Sequence, residues 1–177
     1  MKLHSNRIYT PDGPKAGVLT VEDGKITAFA ENATDPEAVE YGDQRIIPGI
    51  FDTHNHGTCG YNPMAVDADH DTLIANIKGY LKGLASQGTV NIFPTVSDPK
   101  CIAAVAEVAK EGNQDGATIM GIHSEGPWLN RTGEKGIRTG WPEVSMETAQ
   151  AMVKAGDGLL RLVALAPEIP GMDPIIE

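Results

Sequence analysis

The sequence is short of the features that identify several classes of protein at once. It has two cysteines, Cys59 and Cys101, far apart in a chain of 177 residues, so neither a disulfide framework nor a zinc ribbon is indicated. No window approaches the run of about 20 apolar residues that a membrane-spanning helix needs. The first residues lack the apolar core of a secretory signal peptide. Free thiols and the lack of a signal together predict a cytoplasmic protein.

Basic residues are also scarce. Lys and Arg number 14 against 24 Asp and Glu, which gives a formal net charge of -10. Such a surface repels phosphate backbones and anionic lipid head groups, so nucleic acid and membranes are not expected as partners. Apolar residues make up 41% of the chain, the ordinary share of a globular protein with a real core. Because the net charge is negative, an anionic small molecule would need a local basic patch in order to bind.

Residues 1–47 have the pattern of short β-strands. The alternating segments Gly17–Val21 and Lys25–Ala30 are separated by Asp23 and Gly24, and an Asp-Gly pair between β-rich runs predicts a hairpin. A hairpin alone is only marginally stable. We therefore expect this region to pack on something else.

From residue 46 onward, β and α patterns alternate. Strands are predicted at 46–53, which is expected to be buried, and at 89–94, 118–123 and 160–166, and helices at 71–87, 98–111 and 145–156. Apolar residues at helical spacing mark the first helix, and Gly88 ends it. Strands joined by helices predict a parallel sheet with right-handed crossovers. The pattern does not choose between an open doubly wound sheet and an arc of a closed barrel.

Polar residues follow three of the four predicted strands. His54 and His56 end the first strand, Glu125 ends the third and Glu168 follows the fourth. Because chemistry in parallel α/β folds sits at the carboxyl ends of strands, these residues are candidates for one site. Residues two apart on a strand point the same way, and two imidazoles with a carboxylate suit a divalent metal. The alternative is that they are loop residues that hydrogen-bond within the protein and bind no ligand.

The remaining reactive side chains are interpreted mainly as structural. Asp52 is expected to orient its neighbours, and His123 to be a core residue or a support for the site. Glu168 could face the site, but a structural role is the more expected one. Structural or solvated positions are also expected for the following residues: His4, Cys59, His70, Trp128 and Trp141.

Several segments resemble a known family. Ile47–Gly57 resembles the first-strand motif of the amidohydrolase superfamily, which also includes dihydroorotases, deaminases and ureases. Gly121–Asn130 resembles the Glu-Gly-Pro-(Phe/Trp)-Leu segment of N-acetylglucosamine-6-phosphate deacetylases. Gly88–Thr95, the pair at 135–136 and Leu165–Glu168 are similar to further segments of that family, in the same order. The resemblance runs from the N-terminal β region to the last residue.

The resemblance implies an α/β fold. Residues 48–177 would form the N-terminal half of a metal-dependent barrel, a partial TIM-like (β/α) barrel of about four strands, preceded by a small β-sandwich portion over residues 1–47. In the family, the residue matching Glu125 is the main metal ligand, and the pair matching His54 and His56 binds a second metal in members that keep it. Such a ligand set accepts Zn, Fe, Mn or Co.

The resemblance also implies a reaction and substrate-binding residues. The family role is the metal-dependent deacetylation of N-acetylglucosamine 6-phosphate to glucosamine 6-phosphate and acetate. The backbone of Ile137 would touch the sugar. Family members often have His at the next position, where this chain has Arg138. Arg138 is therefore expected to contact the anionic group of an amino-sugar phosphate, alone or with Arg131 and Lys135, unless this loop is merely solvated.

Some residues of the family pattern have no counterpart in residues 1–177. These are two further metal-binding histidines, a catalytic aspartate, and the Arg and His residues that bind the phosphate and acetyl groups. No catalytic residue is therefore assigned here, and we expect the half barrel to pair, as a homo-oligomer or with a complementing C-terminal half. Three alternatives stay open: a non-catalytic or assembly-dependent half barrel, an amidohydrolase for another N-acyl amino sugar, and a metal-free doubly wound binding domain.

Overall fold

A computed structural model describes residues 1–112, 115–130 and 143–177 and has a mixed α/β fold. The chain divides into two compact units, Met1–Pro48 and Gly49–Glu177. Within the described ranges, no helix combines the length and the apolar character that crossing a membrane would require.

The first unit is a β-sheet. Its strands are β1 (Lys2–Thr10), β2 (Gly13–Glu22), β3 (Lys25–Glu31), β4 (Val39–Glu40) and β5 (Arg45–Ile46). β2 lies antiparallel between β1 and β3, and the two short strands run parallel to β1. Asp23 and Gly24 both have positive φ, 49° and 74°, as the tight turn of the predicted hairpin requires.

The second unit alternates strands and helices. Its elements are β6 (Ile50–Asn55), α1 (His70–Ser86), β7 (Thr89–Pro94), α2 (Pro99–Glu111), β8 (Thr118–Ile119), β9 (Ile122–Glu125), α3 (Met146–Gly156), β10 (Leu160–Ala164) and α4 (Asp173–Ile176). All its strand pairs are parallel: β6, β7 and β8 form one sheet, and β9 pairs with β10. An isolated parallel bridge joins Thr95, just after β7, to His123 in β9.

The core of this unit is built from helix faces at regular spacing. Leu73, Ile77 and Leu81 on α1 and Ile102 and Val105 on α2 are fully buried, in one cluster with apolar residues of the strands. Burying one side chain of this size stabilises the folded state by about 1.5–3 kcal/mol relative to leaving it exposed. Packing in this cluster therefore fixes the positions of the strands relative to the helices.

The strand predicted at 46–53 is wrong in its bounds and in its burial. The observed strand, β6, is Ile50–Asn55, and Ile50 and Phe51 are 47% and 48% exposed. Among the described residues β6 pairs only with β7, so an apolar run that would suit a central strand lies at an edge.

The strand predicted at 118–123 is two strands. β8 pairs with β7, whereas β9 pairs with β10. Gly121 lies between them, where a Cβ would come within 2.5 Å of the Arg161 side chain and 2.9 Å of the Phe93 ring. A crowded position without a side chain thus separates the two strands.

The N-cap of α1 makes a pH-dependent contribution that can be tested. The Asp69 side chain accepts a hydrogen bond from the Thr72 backbone N–H, and this bond lowers the pKa of Asp69. A lowered folded-state pKa means that the ionised cap stabilises above the unfolded pKa, about 3.9, and that this contribution is lost as the pH falls through the folded value.

We expect the advantage of wild type over Asp69→Asn to be largest near neutral pH and to shrink below about pH 4. Asparagine also caps helices well but does not titrate, which makes it a matched control. Urea unfolding of both proteins between pH 2 and 7 measures the difference. A difference that stays constant over this range would contradict the prediction.

Candidate metal centre

Two strand ends supply the centre. β6 runs from apolar residues into His54, and His56 follows one residue after the strand; β9 ends at Glu125. Along β9, Ile122 and Ser124 are fully buried, and alternation turns Glu125 to the opposite face. The parallel direction of the strands brings both ends to the same edge.

The three side chains meet with their donor atoms at contact distance. Nε2 of His56 lies 2.9 Å from Oε2 of Glu125 and 3.1 Å from Nε2 of His54, and the remaining distance, from His54 Nε2 to Glu125 Oε2, is 3.7 Å. Ligands bound at about 2.0–2.1 Å in a tetrahedral zinc site lie about 3.4 Å apart. The donor set and its spacing therefore fit one divalent ion.

The centre opens to solvent. The side chains of His54, His56 and Glu125 are 44%, 59% and 38% exposed. Three protein donors also leave at least one position of a tetrahedral ion free, as catalytic rather than structural sites do. A water molecule and a substrate group could both reach an ion held here.

Asp52 and Asn55 fix the backbone that carries the two histidines. Oδ1 of Asp52 accepts from the backbone N–H of His54 at 3.1 Å, and its Oδ2 accepts from Nδ2 of Asn55 at 3.1 Å. Oδ1 of Asn55 accepts from the backbone N–H of Gly57 at 3.0 Å. Asp52 thus orients its neighbours, as its position predicts.

Two buried hydroxyl residues hold the backbone of Asn55, and sequence reasoning missed both. The Tyr80 hydroxyl donates to the Asn55 carbonyl at 3.2 Å, and burial, with the charge of Asp52 adding to it, raises the pKa of Tyr80. The Asn55 N–H donates to Oγ1 of Thr95 at 2.9 Å. The one available signal was a polar group in an apolar setting: Tyr80 falls in the stripe of α1, and Thr95 directly follows a strand.

His123 is buried behind His54. Its Nδ1 lies 2.8 Å from the Thr53 carbonyl and 3.2 Å from Nδ1 of His54, and the two rings pack edge to face at 4.8 Å. The buried Nε2 of His123 has no hydrogen-bond partner among the described residues. This fits the tautomer that carries its proton on Nδ1 and donates it to the Thr53 carbonyl. The structure thus places His123 as a support at the rear of the centre.

Other candidates lie apart from the metal-ligating group found among the described residues. Glu168 accepts from Nδ2 of Asn130 at 3.1 Å; its own backbone N–H, followed by this bond, lowers the pKa of Glu168. Cys59 is an exposed loop thiol. His70, at the start of α1, pairs with Glu107 at 3.3 Å.

Of the remaining candidates, Trp128 lies within the described residues. Trp128 is buried and donates its indole N–H to the Glu143 carbonyl at 3.1 Å, an ordinary packing role. Ile137 and Arg138, the expected substrate-binding residues, lie outside the described residues. So do the following residues: Arg131, Lys135 and Trp141.

Comparison with known proteins shows what the chain is similar to. No protein-family model matches it. The N-acetylglucosamine-6-phosphate deacetylase of Vibrio furnissii is 34% identical over 160 residues, which cover 87% of this chain and 39% of that protein. The protein of the same name from Bacillus subtilis (strain 168) is 30% identical over 168 residues, covering 87% and 41%. By sequence, the chain matches the N-terminal part of the N-acetylglucosamine-6-phosphate deacetylases.

The resemblance expected from the motifs is thus confirmed, and the fold agrees with it. The crystal structure of the deacetylase from Mycobacterium smegmatis superposes with a TM-score of 0.76 at 24% identity, covering 97% of this chain and 48% of that one. At this identity, the likeness is one of fold. The chain spans about two fifths of the length of the two curated deacetylases, 39% and 41%.

Proposed function

We propose that this chain supplies the first part of the metal centre of an amidohydrolase that converts N-acetylglucosamine 6-phosphate to glucosamine 6-phosphate and acetate. The observation that carries the proposal is the convergence of His54, His56 and Glu125 within 4.8 Å of one another. It occurs in a chain that matches deacetylases over 87% of its length.

In this proposal the residues of the centre divide into metal ligands and a support. His54, His56 and Glu125 would hold a divalent ion, Zn, Fe, Mn or Co, and a bound ion would act as a Lewis acid toward the amide carbonyl. Asp52 holds the histidine backbone in place. Among the described residues no further carboxylate joins the group, so we assign the transfer of a proton to the leaving amine to no residue of this chain.

The proposal extends to the fold and to the substrate. We infer that residues 48–177 form about four strands of a TIM-like (β/α) barrel and residues 1–47 a β-sandwich portion. The strand-end position of the centre supports the barrel, because barrel enzymes carry their chemistry there. Ile137 and Arg138 remain our proposed contacts to the sugar and its phosphate. We also propose that the reaction takes place in the cytoplasm.

A second candidate is a half barrel that works only after assembly with a second copy or with a complementing C-terminal half. Exposed apolar residues in the strands favour it: Phe51, Val90, Leu162 and Val163 are 37% to 48% exposed. Apolar strand surface left open tends to be covered by another chain. On this account, specific activity rises with protein concentration.

A chimera tests the proposed function. We expect this chain, put in place of the matched 160 residues of the Vibrio furnissii deacetylase, to release acetate from N-acetylglucosamine 6-phosphate when loaded with zinc. Glu125→Ala in the chimera should lower kcat/KM by more than about 100-fold, because the loss of a ligand exceeds the loss of a supporting residue. The chain alone, assayed over a concentration series, tests the assembly-dependent candidate.

Assays of the chimera on a panel of substrates distinguish the remaining hypotheses about its substrate. Unphosphorylated N-acetylglucosamine and N-acetylmannosamine 6-phosphate serve as controls for the phosphate and for the sugar. A folded, zinc-loaded chimera that releases no acetate from N-acetylglucosamine 6-phosphate would contradict the proposal, and activity on another N-acyl sugar would redirect it.

A further inference from the structure

The ladder between β6 and β7 is interrupted around His54, between Asp52 and Asn55. Its register shifts between Ile50 and Phe51, and shifts again between Asp52, opposite Ile92, and Asn55, opposite Pro94. At this irregularity the Asn55 N–H points to the side-chain oxygen of Thr95, at 2.9 Å. The Thr95 hydroxyl thus substitutes for a ladder carbonyl on the residue that separates His54 from His56.

Thr95 also bonds to the carbonyl of Asn55. Its backbone N–H donates to the Asn55 carbonyl at 3.1 Å, so both backbone groups of Asn55 bond to Thr95. Thr95 is 1% exposed, so solvent would not replace its hydroxyl as a hydrogen-bond partner if the hydroxyl were lost. Between the two imidazoles, the Thr95 hydroxyl therefore holds the N–H of Asn55, while the Tyr80 hydroxyl and the Thr95 N–H hold its carbonyl.

The same residue connects both halves of the centre. Thr95 forms a parallel bridge with His123, and the next residue, Val96, donates its N–H to the His123 carbonyl at 3.0 Å. His123 lies two positions before Glu125 on β9. Thr95 is thus bonded to the strand that carries the histidines and paired with the strand that carries the carboxylate.

We propose that Thr95 is a positioning residue whose buried hydroxyl sets the spacing of the His54–His56 pair relative to Glu125. The inference rests on the proposed metal centre. It concerns the side chain that aligns the ligands and adds no ligand of its own.

Two matched pairs of variants test the hydroxyl. Thr95→Val keeps the shape and removes the acceptor, so it is compared with wild type. Thr95→Ser and Thr95→Ala both lack the methyl group and differ in the hydroxyl, so this pair replaces the first if the valine variant does not fold. We expect zinc affinity to fall about 10- to 100-fold in the variants without a hydroxyl and to stay within a few-fold of wild type in Thr95→Ser. The visible spectrum of bound cobalt should change in parallel.

A measurement without metal keeps this inference separate from the metal centre itself. In the metal-free protein we expect the Asn55 amide proton to exchange faster, and the His54 and His56 ring resonances to shift, in Thr95→Val and Thr95→Ala but not in Thr95→Ser. If the wild-type protein bound no metal, the proposed function would be contradicted, but the positioning role of Thr95 would not. Unchanged ring resonances and amide exchange in the hydroxyl-free variants, or zinc affinity and cobalt spectra equal to wild type, would overturn the role of Thr95.

Discussion

Replacing Glu125 with alanine is expected to weaken divalent metal binding severely. The carboxylate is the one anionic donor of the group, 2.9 Å from His56 Nε2 and 3.7 Å from His54 Nε2. Without it the two imidazoles must hold a dication with no compensating charge. We expect the dissociation constant for zinc to rise by more than about 100-fold, beyond the 10- to 100-fold effect of a supporting residue. Competition with a chromophoric chelator measures it.

Glu107→Ala is the matched control for this prediction. Glu107 is also a carboxylate paired with a histidine, His70, at 3.3 Å, but no second imidazole faces it in the described part of the chain. Its loss should leave zinc affinity unchanged. If both variants weakened binding equally, or neither did, the ion would be bound elsewhere.

The second large effect concerns the core that holds the strand ends. Ile102 of α2 is fully buried in the cluster between helices and strands. Truncation to alanine removes the transfer free energy of the lost methyl and methylene groups and leaves a cavity, so Ile102→Ala should lower the free energy of unfolding by about 2–5 kcal/mol. Urea unfolding followed by tryptophan fluorescence reports on this unit, because Trp128 lies buried in it.

An exposed apolar residue on a neighbouring helix gives the comparison. Val153 of α3 is 63% exposed, and Val153→Ala should change the free energy of unfolding by no more than about 0.5 kcal/mol. Equal losses in the two variants would mean that the core does not lie between α2 and the strands.

Helices and the predicted hairpin could be read from the sequence because each is specified locally. Asp98 and Ser145 cap α2 and α3 through their own side chains, and Asp23 with Gly24 allows a turn with positive φ. Local preferences of this kind need no knowledge of the rest of the fold.

Strand burial and strand pairing could not be read in the same way. The apolar Ile50 and Phe51 resemble a central strand, but their exposure depends on which other strands lie beside β6. The split of segment 118–123 depends on the crowding of Gly121 by Arg161 and Phe93. Both are set by contacts distant in sequence, which a linear pattern does not contain.

The same distinction applies to the candidate centre. His54, His56 and Glu125 could be proposed from residue type and strand-end position. Thr95 and Tyr80 could not, because their roles are hydrogen bonds to the backbone of Asn55, 40 and 25 positions away. Threonine after a strand and tyrosine in a helical stripe are ordinary in core positions, and only the fold turns their hydroxyls toward the site.

The most direct test of the account is to locate the metal. Crystals of the zinc-loaded chain, measured on both sides of the zinc absorption edge, should give an anomalous peak within bonding distance, about 2.0–2.2 Å, of Nε2 of His54, Nε2 of His56 and Oε2 of Glu125. Crystals of Glu125→Ala grown in the same way should lack that peak. A zinc peak bonded to other residues, or none in wild type at stoichiometric zinc, would contradict the central claim.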